Sequence, residues 1–144
     1  MKEILLTQGK SAFVDDKDFE SLNAFKWYAM KIGNAFYATR HSPKINGKYH
    51  HIYMHRMIIN TPDGMETDHI DRNGLNNQRN NLRIVTSQQN AFNRNAKGFY
   101  FNKNSQKFRA QIQLNGKNIN LGYFETELEA QTAYLEAKHI YHVI

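Results

Sequence analysis

The chain has 144 residues, 40% hydrophobic and 12% aromatic, with a formal net charge of +6 and no cysteine. That supports one compact domain or a few small modules, and it excludes disulfides, thiolate zinc sites and cysteine nucleophiles, so any metal must rest on oxygen or imidazole nitrogen. No apolar run approaches the roughly 20 residues of a membrane span, and no basic start leads into one, which predicts a soluble cytoplasmic protein with no membrane partner.

Turn signals divide the chain into three parts, residues 1–60, 61–96 and 97–144. In the first, alternating runs at Ser11–Val14, Lys26–Met30 and Ala35–Thr39 are separated by Gln8-Gly9-Lys10, Gly33-Asn34 and Asn46-Gly47-Lys48. These predict one small antiparallel sheet. Phe19, Leu22 and Phe25 recur at helical spacing after an Asp-rich start, which predicts a short capped helix between strands. The apolar run Ile52–Ile59 is predicted as helix, ended by Thr61-Pro62-Asp63-Gly64.

The second part predicts strand, loop, strand, helix. Glu66–Ile70 and Leu82–Val85 are the strands, and an Asn- and Gly-rich loop joins them. Thr86 caps the helix, with Gln89 completing a capping box. Asn90, one turn in from that cap, is then expected near the strand bearing Asp68 and His69.

In the third part, Lys107–Leu114 alternates strictly, Asn115-Gly116 is a type I′ turn pair, and Lys117–Tyr123 alternates again. A capping box at Thr126 and Glu129 opens a helix with apolar residues at helical spacing. The fold class is therefore α+β, ending in a three-stranded antiparallel sheet packed on one helix. Charge segregates there: Lys97, Lys103, Lys107, Arg109 and Lys117 meet no acid before Glu125, whereas Glu127, Glu129 and Glu136 lie on the helix. A basic sheet suits a polyanion, and double-stranded DNA is the expected partner. Arg109, Gln111 and Gln113 are the types that read base edges; Lys103, Lys107, Lys117 and Arg83 are expected to contact DNA, the lysines through phosphates.

The chemistry is concentrated at Asp68-His69. Hydrolysis of a phosphodiester needs charge neutralisation, a deprotonated water and a stabilised leaving oxygen. His69, with an ordinary pKa near ~6.5, suits a general base. Asp68 offers a hard oxygen ligand for magnesium or manganese, and the carbonyl of Asn90 adds a second without further negative charge; Asn93 is a rival on the expected helix face. Strand neighbours point to opposite faces, so serving one site predicts a break in strand geometry at residues 68–69. His55 is expected to pack or to meet phosphate. Asn76, Asn77 and Asn80 are read as turn chemistry only.

Asp68-His69, then Asn81 twelve residues after the histidine and Asn90 nine further on, with Met54-His55-Arg56 before them and Asn80-Asn81-Leu82-Arg83 between, resembles the HNH endonuclease family in the variant whose last histidine is asparagine. The likeness is to the homing-type enzymes of phages and introns. It implies a ββα-metal site in which His69 is the general base, Asn81 is its companion and holds the loop, and Asp68 and Asn90 hold a divalent ion, Mg2+ or Mn2+, as the only cofactor. Gly98-Phe99-Tyr100-Phe101, Phe108–Ile112 and Leu121-Gly122-Tyr123-Phe124 are similar to the APETALA-type DNA-binding domain, which implies that the polar sheet face enters the major groove. The N-terminal sheet is expected to contact DNA as well. The function expected is a metal-dependent endonuclease leaving 5′-phosphate and 3′-hydroxyl ends, nicking one strand. The alternative is a non-catalytic DNA-binding regulator that keeps the same fold. Neither target sequence nor oligomeric state is legible.

Overall fold

Short strands closed by tight turns, rather than long elements, set the architecture, as the spacing of Gly and Asn requires. A computed structural model describes residues 1–143, and among them are small antiparallel sheets and four α-helices in a mixed α/β arrangement. The chain separates into two compact units, Met1–Asn90 and Ala91 onward.

In the first unit β1 (Lys2–Leu5) pairs with β2 (Ser11–Val14), and α1 (Asp16–Asn23) follows. The helix is present, but its cap differs from expectation. Asp15 makes no side-chain cap bond; its carboxylate instead accepts from the backbone N–H of Arg79 at 3.0 Å. Trp27 is buried and donates its indole N–H to the Leu22 carbonyl at 2.8 Å, so the next strand, β3, starts at Tyr28 rather than Lys26. Strands β3 (Tyr28–Ile32), β4 (Ala35–His41) and β5 (His51–Tyr53) form a second antiparallel sheet in the order β3-β4-β5. The N-terminal part thus carries two sheets, not one.

The run expected to be wholly helical divides at Tyr53. Ile52 and Tyr53 pair with Arg40 and Thr39 in β5, and α2 (Met54–Ile59) begins only where Met54, His55 and Ile58 can bury one helical face. Asn60, at φ 50°, ends it in the left-handed conformation that asparagine tolerates. Next come β6 (Glu66–His69), a 3-10 turn at Arg79–Asn81, β7 (Leu82–Val85) and α3 (Ser87–Phe92). Leu82 packs in one cluster with Ile4, Val14, Trp27, Met54 and Ile58. The parts expected at residues 1–60 and 61–96 therefore share a core up to Asn90, because the β6–β7 hairpin has too little apolar surface to bury on its own.

In the second unit β8 (Phe99–Asn102), β9 (Lys107–Leu114) and β10 (Lys117–Phe124) form a sheet in the order β10-β9-β8, and α4 (Glu127–Tyr141) covers one face. Ile112, Tyr134 and Ala137 make that core. Gly98 permits it: a Cβ there would lie 1.9 Å from the Tyr134 ring, and its φ of +73° favours glycine. The capping box of α4 is complete, with Thr126 Oγ1 accepting from the Glu129 N–H at 3.2 Å and Glu129 accepting from the Thr126 N–H at 3.1 Å.

Candidate active site

The β6–β7 hairpin runs in unbroken antiparallel register, Glu66 opposite Val85, Asp68 opposite Arg83 and His69 opposite Leu82. The break expected between residues 68 and 69 is absent. His69 is the last residue of its strand, and the chain turns soon after it, with Arg72 at φ 64°. Both side chains are almost completely covered, Asp68 at 5% and His69 at 6% exposure.

The loop between the strands is held by asparagine amides. Asn81 accepts from the Asp71 N–H at 3.0 Å and donates to the Asp71 carboxylate at 2.9 Å and the Asn76 carbonyl at 2.8 Å. Asn76 donates to the other Asp71 oxygen at 2.8 Å. Burial pushes the Asp71 pKa up, but the Asn73 N–H and the Asn76 and Asn81 amides outweigh it, so the net shift is downward. The loop is also fastened outward. The Phe13 N–H donates to the Leu75 carbonyl at 2.8 Å, the Asn77 N–H to the Phe13 carbonyl at 2.7 Å, and Arg79 forms a two-pronged pair with Asp18. At Gly74 the loop presses on β4, where a Cβ would sit 2.4 Å from the Phe36 carbonyl oxygen and 2.7 Å from the Tyr37 ring.

His69 stands in a polar and aromatic nest. Asn77, wholly buried, turns its Nδ2 toward the Met54 sulfur and the Leu75 carbonyl, so its Oδ1 accepts from His69 Nε2 at 3.0 Å. In the neutral ring the lone pair is then on Nδ1. The His55 ring meets His69 edge to face at 5.0 Å between centroids, and Tyr37 packs on both, at 5.7 Å from His55 and 5.9 Å from His69. Burial pushes the His69 pKa below its ordinary value, and the Asn77 bond and the Asp71 and Asp68 charges only partly oppose this. Its imidazole is therefore neutral at pH 7. Burial drives His55 down to about 3, helped by the charges of His69 and Arg56, and its Nδ1 is buried without a hydrogen-bond partner among the described residues.

Asp68 is paired across the hairpin. Arg83 donates from Nε at 2.8 Å and from a terminal nitrogen at 2.7 Å, both to Oδ2. Arg83 is turned onto this carboxylate because the register places the two residues opposite each other. Glu66, two residues earlier on the same strand face, accepts from Ser87 Oγ at 2.5 Å and from Asn90 Nδ2. Asn90 is thus tied to the strand face that carries Asp68. Asn93, the rival ligand, directly follows the last residue of α3.

The donors fit a hard cation. Asp68 and Asn90 supply oxygen only, and no group of three or more His, Cys, Asp or Glu suited to hold a metal occurs among the described residues. Such oxygen donors suit a divalent cation.

In the second unit, Arg109 occupies the centre of the outward sheet face. It donates to the Tyr100 hydroxyl at 3.2 Å and to Asn120 Oδ1 at 3.4 Å, and its guanidinium lies 5.8 Å from the Tyr123 ring centre. Gln111 stands opposite Asn120 and Gln113 opposite Asn118. Lys103 and Lys117 are exposed. The Lys107 ammonium pairs with Glu125 at 2.6 Å, where the acid-free stretch ends.

The sequence reading missed Asn77, His55, Tyr37 and Glu66 as neighbours of the site. His55 had a visible signal, a titratable residue inside an otherwise apolar run. Asn77 had none, since its neighbours in the loop are asparagines of ordinary turn character. Against known proteins, a family model described as HNH endonuclease matches residues 53–92. A protein of Acanthamoeba polyphaga mimivirus, named an uncharacterized HNH endonuclease, is 32% identical over 138 residues, spanning 90% of this chain and 71% of the relative. No solved structure matches the chain.

Proposed function

This chain belongs to the HNH endonuclease family, and from that premise we propose that it is a metal-dependent nuclease cleaving double-stranded DNA to 5′-phosphate and 3′-hydroxyl ends. The observation that carries the reading is the buried Asn77, which fixes the tautomer of His69. With Nε2–H committed to Asn77, the lone pair of Nδ1 takes a proton from water. The resulting hydroxide attacks phosphorus in line, the P–O3′ bond breaks, and the 3′ oxygen leaves to be protonated by solvent. The lowered His69 pKa keeps the base neutral at physiological pH. A divalent ion on Asp68 and Asn90 would neutralise phosphate charge and stabilise the departing oxygen. Asn81 holds the loop that presents His69 and makes none of the proton transfers. Tyr37 and His55 pack against the imidazole and limit its rotation.

The second unit is proposed to bind DNA through its outward face, with Arg109, Gln111 and Gln113 as base readers and Lys103 and Lys117 on phosphates. A polar sheet face without acids, backed by an acidic helix, supports this; the APETALA-type likeness is part of the same proposal. With a single His69 per chain, a monomer nicks one strand. The homing-type assignment rests on the motif's resemblance alone.

The test is relaxation of supercoiled plasmid across a panel of metals. We expect nicking with Mg2+ or Mn2+, none with EDTA, and its loss in His69→Ala with DNA affinity unchanged. Unimpaired cleavage by that variant overturns the assignment.

A further inference from the structure

We infer that Glu66 is a positioning residue that selects which end of the Asn90 carboxamide is offered to the metal. The inference rests on the reading of Asn90 as a ligand.

A carboxamide is nearly symmetric in shape, yet its two ends are opposite in chemistry. A hard cation binds the carbonyl oxygen and is repelled by the NH2 end. Something must therefore choose the orientation. An ionised carboxylate can only accept hydrogen bonds, so the contact between Glu66 Oε2 and Asn90 compels Nδ2 to face Glu66 and turns Oδ1 away from it. The other carboxylate oxygen accepts from Ser87 Oγ at 2.5 Å. Ser87 and Asn90 are three residues apart on α3, on one side of the helix. A single carboxylate thus grips both residues and holds the first turn of α3 to the strand bearing Asp68. Glu66 and Asp68 share a strand face, and the Arg83 cation against Asp68 offsets one of their two negative charges.

Contacts made by a ligand's second group commonly change metal affinity 10- to 100-fold. The test is Mn2+ binding to the full chain by titration calorimetry, with plasmid nicking measured alongside. Glu66→Ala is expected to weaken Mn2+ binding about 10-fold or more. Glu66→Gln, which keeps an acceptor for Asn90 Nδ2, should stay within about 3-fold of the parent. Ser87→Ala breaks the other bond to Glu66 but keeps the bond between Glu66 and Asn90, so it should weaken Mn2+ binding less than Glu66→Ala does. Parental Mn2+ affinity in Glu66→Ala, with a loss in Asn90→Ala, overturns the role of Glu66 and leaves Asn90 as ligand. Equal losses in Glu66→Gln and Glu66→Ala overturn positioning and make the charge of Glu66 the active property. Parental Mn2+ affinity in Asn90→Ala removes the ligand reading itself, and the inference with it.

Discussion

In the loop of residues 71–81, the side chains of Asn76, Asn77 and Asn81 bond within the hairpin, whereas in the sheet β8–β10 the amides of Gln111, Gln113, Asn118 and Asn120 lie on the outward face. The difference comes from the backbone. An irregular loop leaves N–H and C=O groups without ladder partners, and short amide side chains are consumed in satisfying them. A sheet pairs most of its backbone in the ladder, so Gln111, Gln113 and Asn118 are carried on its outward face, and only at the irregularity in β10 does an amide serve the backbone, where Asn120 Oδ1 accepts from the Gly122 N–H at 3.3 Å as well as from Arg109. The same residue type therefore ties a loop together in one region and, in the other, lies on the face proposed to read DNA.

The sharpest way to break the comparison is at the cradle's occupant. His69→Ala is expected to cut the nicking rate by about 10²- to 10⁴-fold, measured in single turnover, with filter-binding affinity unchanged. Asn77→Leu keeps the volume but removes the acceptor for Nε2, leaving the tautomer unspecified. A loss of about 10- to 100-fold in rate is expected, with a KM close to the parent.

The two amide populations should separate in stability. Asn81→Ala removes the bonds to Asp71 and Asn76 and should cost about 2–3 kcal/mol in urea unfolding, whereas Gln111→Ala should cost less than about 0.5 kcal/mol. Equal costs would show that the sheet amides are structural. Gly74→Ala, which forces a Cβ toward the Phe36 carbonyl and the Tyr37 ring, should cost about 1–3 kcal/mol. On the outward face of the second unit, Arg109→Ala should weaken DNA binding about 10-fold and relax the base preference at one position of the target.

The buried His55 predicts the pH response of the first unit. Its folded pKa is about 3 against an ordinary 6.5, so below pH 6.5 the unfolded chain binds a proton that the folded chain refuses. Stability is complete above pH 6.5 and falls as pH drops from there toward 3. His55→Gln should flatten that part of the denaturation curve, and an unchanged slope would place the responsible group elsewhere.

Much of this is legible along the chain because it is local. The Thr86–Gln89 and Thr126–Glu129 capping boxes, the Asn115-Gly116 hairpin turn and the alternation of β9 each depend on residues a few positions apart. The misplacements arise where distant residues compete. Asp15 abandons its cap for the Arg79 N–H, sixty-four positions away, and Ile52 and Tyr53 leave the helix because β4 offers ladder bonds. No local rule weighs such offers.

The sequence by itself determined the four-residue pattern of Asp68, His69, Asn81 and Asn90, the hairpin that carries it, and the basic character of the last sheet. Those follow from residue type and short-range periodicity. Only the tertiary structure decided that Arg83 pairs with Asp68, that Asn77 accepts from the His69 ring, that Glu66 bonds to Asn90, and that the N-terminal strands share a core with the hairpin. Each of these is a choice among several chemically adequate partners. It is made by register and burial, which depend on the whole packed unit and not on any one segment.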